Sequence, residues 1–90
     1  MKQNQVSVEE LQAIKTRCDA ATPGPWISFV ESRQKFSGSD FIRTGDEDIY
    51  LTGATVEDQD FIAHARQDIP RLIAEIERLQ NIMERSKNSG

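Results

Sequence analysis

A stripe of apolar residues at helical spacing runs from Phe61 nearly to the end of this 90-residue chain, and a proline sits inside it. Phe61, Ile62, Ala65, Ile69, Leu72, Ile73, Ile76, Leu79 and Met83 recur every three or four residues, the period that puts side chains on one helix face. Pro70 has no amide hydrogen to donate to the carbonyl of Arg66, and its ring crowds that carbonyl. A continuous stripe with a breaker inside predicts either a fresh helix capped by Asp68 or one long helix kinked there, and the uninterrupted stripe favours two nearly continuous helices. Everything else must be built from residues 1–60 and must cover part of that stripe.

A second helix is marked at the other end. Ser7 with Glu10 three residues later is a capping box, Val6 with Leu11 fits a hydrophobic staple, and Val8, Leu11, Ile14 and Cys18 form one apolar face. Pro23-Gly24-Pro25 ends it. Three strands are expected between the helices. Trp26 to Glu31 is aromatic and β-branched, while Phe41 to Thr44 and Ile49 to Thr52 flank Gly45-Asp46-Glu47-Asp48 as a hairpin. The polar stretch Ser32 to Ser39 reads as a loop. Gly53 closes the sheet, and Thr55 with Asp58 opens the long helix with a second capping box. The fold class is α+β: one small domain over 1–90, ordered α-β-β-β-α. A three-stranded antiparallel sheet carries helices on one face, and 1–5 and 87–90 are expected to fray.

Ninety residues bury a marginal core, so self-association is an expected source of further burial. Ile69, Leu72, Ile76, Leu79 and Met83 alternate by three and four, with Ile at the first two of one set of positions and Leu at the other. That preference suits two-stranded pairing. The stripe is wider than a coiled-coil seam, so it can serve both the sheet and a second copy. A homo-oligomer, at least a dimer, is the expectation. The chain has 11 basic and 15 acidic residues, net −4, which argues against nucleic acid and anionic membranes as partners. Residues 1–45 hold six Lys/Arg and five Asp/Glu, for +1, and residues 46–90 hold five and ten, for −5. An anion is therefore better received by the first half, or by a specially placed arginine in the second. Cys18 is the sole cysteine, so no internal disulfide forms; with no apolar leader either, a cytoplasmic protein is expected.

Several side chains could carry chemistry. Trp26, the only tryptophan, follows a proline-flanked turn and is either a plug at a helix–sheet junction or a stacking platform for a base. Asp60 and His64 are four residues apart and share a helix face, so the carboxylate can orient the imidazole. Arg66 lies about 200° from His64 around a straight helix, so the two cannot clamp one ligand without a further wall. Arg66, with Arg43 or Lys35, could neutralise a phosphate. Asp46-Glu47-Asp48 lacks the glycine and distal glutamate of a calcium loop, and no metal site is expected. No nucleophile elbow, Gly-rich phosphate loop or zinc-protease motif is present, so neither catalysis nor a cofactor is expected.

The order of helix, Ala21-Thr22-Pro23-Gly24-Pro25-Trp26, β segment, then Asp60-Phe61-Ile62-Ala63-x-Ala65-Arg66 as the opening of an apolar helix resembles the Ead-like small proteins of phages and prophages. The resemblance implies a small, non-enzymatic accessory protein of phage origin, working in the bacterial cytoplasm. Size, acidity and expected oligomerisation are also similar to those of phage sponges that sequester cyclic nucleotide signals of bacterial defence. The leading expectation is an oligomer that binds a small, anionic, nucleotide-like ligand through Trp26, Arg66, His64, Arg43, Lys35 and Asp60. The alternative is a protein–protein interaction module that modulates a host protein.

Overall fold

The computed structural model describes residues 5–36, 38–45 and 47–88. Its elements are α1 (Val8–Ala20), β1 (Ile27–Phe29), α2 (Glu31–Gln34), β2 (Phe41–Arg43), β3 (Asp48–Ile49) and α3 (Val56–Asn88). Three antiparallel strands lie in the order β1-β2-β3, with Ser28 opposite Ile42 and Ile42 opposite Ile49. The architecture is α+β in the expected order, with one added helical turn. α3 is the spine, packing against α1, β1 and β2.

Both capping boxes form. Ser7 accepts from the amide of Glu10 at 3.0 Å, and the Glu10 carboxylate accepts from the amide of Ser7 at 2.9 Å. Thr55 and Asp58 repeat the exchange at 3.0 and 3.1 Å. Leu11 is buried while Val6 stays exposed, so the expected staple leaves Val6 in water. α1 stops at Ala20, with the amide of Ala21 donating to the Arg17 carbonyl at 3.2 Å. The residue before a proline is pushed toward extended backbone, which fits a helix that ends ahead of Thr22-Pro23.

Pro70 does not divide α3, contrary to the two-helix expectation: 33 residues run as one helix, about 50 Å long. The cost of an interior proline, about 3 kcal/mol, is met by packing on both sides of it. Ala63 and Ile73 are buried on either side, and Glu77 bonds Lys15 of α1 at 3.4 Å. The expected fraying at 1–5 and 87–90 falls mostly outside the described residues, although Lys87 and Asn88 remain helical.

The strands are shorter than expected. Trp26 to Glu31 contracts to Ile27–Phe29 because side-chain amides take the flanking backbone groups. Gln67 accepts from the amide of Trp26 at 2.7 Å and donates to its carbonyl at 3.2 Å. Gln34 accepts from the amide of Val30 at 2.7 Å and donates to the Ser28 carbonyl at 3.3 Å. The expected loop starts as α2 instead: Asp40 accepts from the amide of Glu31 at 2.8 Å, and Lys35 closes the turn at φ 60. β3 covers Asp48–Ile49 rather than Ile49 to Thr52, since the chain turns toward α3 at Gly53, where φ is 85. Asp46 of the expected hairpin turn lies outside the described residues.

The two sheet faces differ. Ile42, fully buried, and Ser28 face α3, where Gln59 is also buried. The Gln59 amide nitrogen reaches Ser28 Oγ at 2.9 Å and the carbonyls of Phe29 and Phe41 at 3.1 and 3.2 Å, fastening the helix to two strands. The outer face carries Phe29 stacked on Phe41 at 5.2 Å, with Phe36 and Tyr50 against Phe41. No helix among the described residues is long and apolar enough to cross a membrane.

Candidate functional site

The segments Ala21–Trp26 and Asp60–Arg66 meet in space. The carbonyl of Thr22 accepts from the Trp26 indole nitrogen at 3.0 Å and from Arg66 Nε at 2.8 Å. Beside it, the Gln67 side chain binds both backbone groups of Trp26. Gly24 lies so close to the helix that a Cβ there would stand 3.2 Å from Gln67 Oε1 and 3.6 Å from Arg66 Cγ. The turn is therefore fixed to α3 through Trp26, Arg66, Gln67 and the missing side chain of Gly24.

This arrangement leaves one side of the indole on a groove of about 490 Å³ between α1 and α3. Ile14, Cys18 and Ala21 form one wall, and Ile62, Ala65 and Ile69 form the other. Trp26 completes the lining, and among the described residues Arg17 and Arg66 are its charged side chains, with no carboxylate. The indole N–H is spent on Thr22, so the ring presents an apolar surface. Arg66 is held through Nε, which leaves its two terminal guanidinium nitrogens outside that bond.

The other sequence-derived candidates lie elsewhere. Arg43 is on the outer sheet face, 5.1 Å from the Phe29 ring centre and 5.3 Å from that of Phe41, and it pairs with Asp48 at 3.4 Å. Lys35 is exposed at the end of α2. Asp60 does not bond His64. Its carboxylate accepts from both terminal nitrogens of Arg33, at 3.2 and 3.1 Å, because α2 brings that guanidinium across the start of α3. Hydrogen bonds from Arg33 and then Ser28 hold Asp60 below the usual carboxylate range, and Asp60 raises the pKa of Arg33 in return. His64 is exposed and shares a shallow surface with Phe61 and Leu72, not with Trp26. Of six candidate ligand residues, the fold brings together Trp26 and Arg66 and separates Arg43, Lys35, Asp60 and His64 from them.

The sequence reading passed over Arg17, Gln67 and Gln59. Arg17 sits one residue before Cys18 on the helix that forms the groove wall, outside that helix's apolar spacing. Gln59, Ala63 and Gln67 recur every four residues, which puts them on one face of α3 beside the sheet. That polar–small–polar repeat was the available signal. Among the described residues no three His, Cys, Asp or Glu side chains gather to hold a metal ion. Comparison with protein-family models, curated proteins and solved structures finds no match to this chain.

Proposed function

We propose that this chain captures a small anion with a flat apolar body, a nucleotide-like molecule, and holds it without transforming it. The observation that supports this reading is the convergence of Trp26, Arg17 and Arg66 on one apolar groove with no carboxylate among the described residues of its lining. An indole face stacks on a base, and two guanidiniums match phosphate oxygens. A volume near 490 Å³ falls within the ordinary range of small-molecule sites, about 300–1,000 Å³. Given the resemblance to phage accessory proteins, the form this function takes is sequestration of a cyclic nucleotide signal in the host cytoplasm.

Trp26 is the sole tryptophan and so reports its own site. Titration with cyclic mononucleotides and cyclic dinucleotides is expected to change its fluorescence saturably and to raise the melting temperature. A ligand at 100 times its dissociation constant adds about 2.7 kcal/mol to stability. Arg17→Glu, on the exposed side of α1, keeps the fold and is expected to abolish the response. A panel without response, or an Arg17→Glu protein that binds like the parent, refutes the proposal.

A second reading, a module that binds and modulates a host protein, is favoured by the exposed apolar side chains on α3. It predicts a stoichiometric partner from host lysate and no change in Trp26 fluorescence with any nucleotide.

A further inference from the structure

α3 is longer than the body that covers it. The molecule measures 62 × 28 × 22 Å, and from Arg78 to Lys87 every described side chain of the helix is exposed. Its open face is apolar: Phe61 is 74% exposed, Leu72 61% and Met83 67%, with Ile69, Ile76, Leu79 and Ile82 each between 38% and 48%. Together these side chains leave on the order of 700 Å² in water, close to the ~800 Å² that each partner contributes to a standard stable interface.

The pattern also says what fits there. Counting outward from Leu72, positions four, seven and eleven residues toward the C-terminus are Ile76, Leu79 and Met83, and those toward the N-terminus are Asp68, Ala65 and Phe61. Apart from Asp68 the apolar positions are matched in both directions, so the stripe meets itself when one copy is turned end over end, as an isologous two-fold contact requires. We infer that two copies of this chain pair antiparallel along α3, with Leu72 on the two-fold axis and Phe61 of each copy against Met83 of the other.

In that register the small Ala65 faces Leu79 of the second copy, and Ile69 lies beside Ile76 across the axis. Phe61 and Met83 form an aromatic–thioether contact. The free end of each α3 lies on the other copy's body, where Phe61, Ile62, Tyr50 and Leu51 border a shallow hollow and Tyr50 is 60% exposed. Asp68 is the polar exception. It stands opposite Ile76 of the second copy, one residue from Glu75, whose charge is already balanced by Arg78 at 2.6 Å. A parallel pair would set Met83 against Met83 and leave both Phe61 hollows open. Ala65 and Ile69 also line the groove of Trp26, so the second copy runs along the groove's open side.

The pairing stands independently of what the groove binds, and light scattering with site-directed crosslinking tests it. In a Cys18→Ser background, Leu72→Cys is expected to form an intermolecular disulfide on mild oxidation. Met83→Cys alone is expected not to link, and Phe61→Cys with Met83→Cys is expected to link. Leu72 is exposed in the single copy, so Leu72→Glu leaves the helix intact by circular dichroism. It is expected to weaken dimerisation roughly a hundredfold, because two carboxylates would be desolvated face to face. A monomer at high micromolar concentration overturns the inference and returns the stripe to a different protein. A Met83–Met83 link, or a dimer that survives Leu72→Glu, overturns it as well.

Discussion

Gly24 and Gln67 are 43 positions apart, yet the structure makes the effect of changing one depend on the other. The backbone of Gly24 lies outside the left-handed region, so alanine can adopt it. Alanine in the unfolded chain has fewer conformations to lose, a stabilising effect of about 0.4–1 kcal/mol. Against this, the new methyl would stand 3.2 Å from Gln67 Oε1, the atom that accepts from Trp26 at 2.7 Å. Displacing that amide costs about 1–3 kcal/mol, the usual range for overpacking. Gly24→Ala should therefore destabilise the parent by about 1 kcal/mol, a fall in melting temperature of about 4–8 °C for a chain of this size. Gln67→Ala alone removes two hydrogen bonds to Trp26 and should cost about 2 kcal/mol. In that background the nearest remaining atoms to the new methyl are Arg66 Cγ at 3.6 Å and the Trp26 nitrogen at 3.8 Å, both ordinary contacts. The sign then reverses, and Gly24→Ala should stabilise by about 0.4–1 kcal/mol. Urea unfolding of the four proteins, followed by circular dichroism at one protein concentration, gives the coupling energy directly. The reasoning fails if Gly24→Ala has the same effect in both backgrounds within about 0.5 kcal/mol, the limit at which independent sites add.

Two further predictions concern the contacts made by the start of α3. Gln59→Leu keeps the volume but removes three contacts from one amide nitrogen, and it should cost about 2 kcal/mol in urea unfolding. Asp60 has a folded pKa below its usual 3.8, so its contribution is present above that value and is lost as pH falls through the folded one. Arg33→Ala removes the main cause, so the loss of stability between neutral pH and about pH 3 should be smaller in the variant than in the parent. Equal losses would show that the Arg33 pair does not govern the titration.

Features repeated along the chain were readable from the sequence alone. The capping boxes at Ser7 and Thr55, the apolar stripe and the two turn clusters each bias one local conformation, and together they specify α-β-β-β-α. What the sequence hid depends on partners distant along the chain. Asp60 faces His64 in any isolated helix, but the carboxylate goes to Arg33, whose approach requires the α2 turn. That turn in turn needs Asp40 to receive the amide of Glu31. Pro70 argues for a break when residues 66–70 are read alone, while packing at Ala63, Ile73 and Glu77 decides for continuity. The candidate site was half legible. Trp26 and Arg66 stand out by type, whereas Arg17 and Gln67 have roles that appear only once α1, the turn and α3 are in register.

The glutamines beside β1 set a limit on how this protein can associate. Trp26, Ser28 and Val30 alternate along one edge of β1 and its flanks; Gln67 takes the amide and carbonyl of Trp26, and Gln34 takes the Ser28 carbonyl and the Val30 amide. Two side-chain amides thus stand where a fourth strand would pair. An extended peptide seeking a sheet edge finds those donors and acceptors already taken, which suppresses both strand capture and edge-to-edge aggregation. A chain this small, with an apolar helix in water and a sheet edge on either side of β2, has several ways to stick to its neighbours, and the glutamines guard the β1 edge.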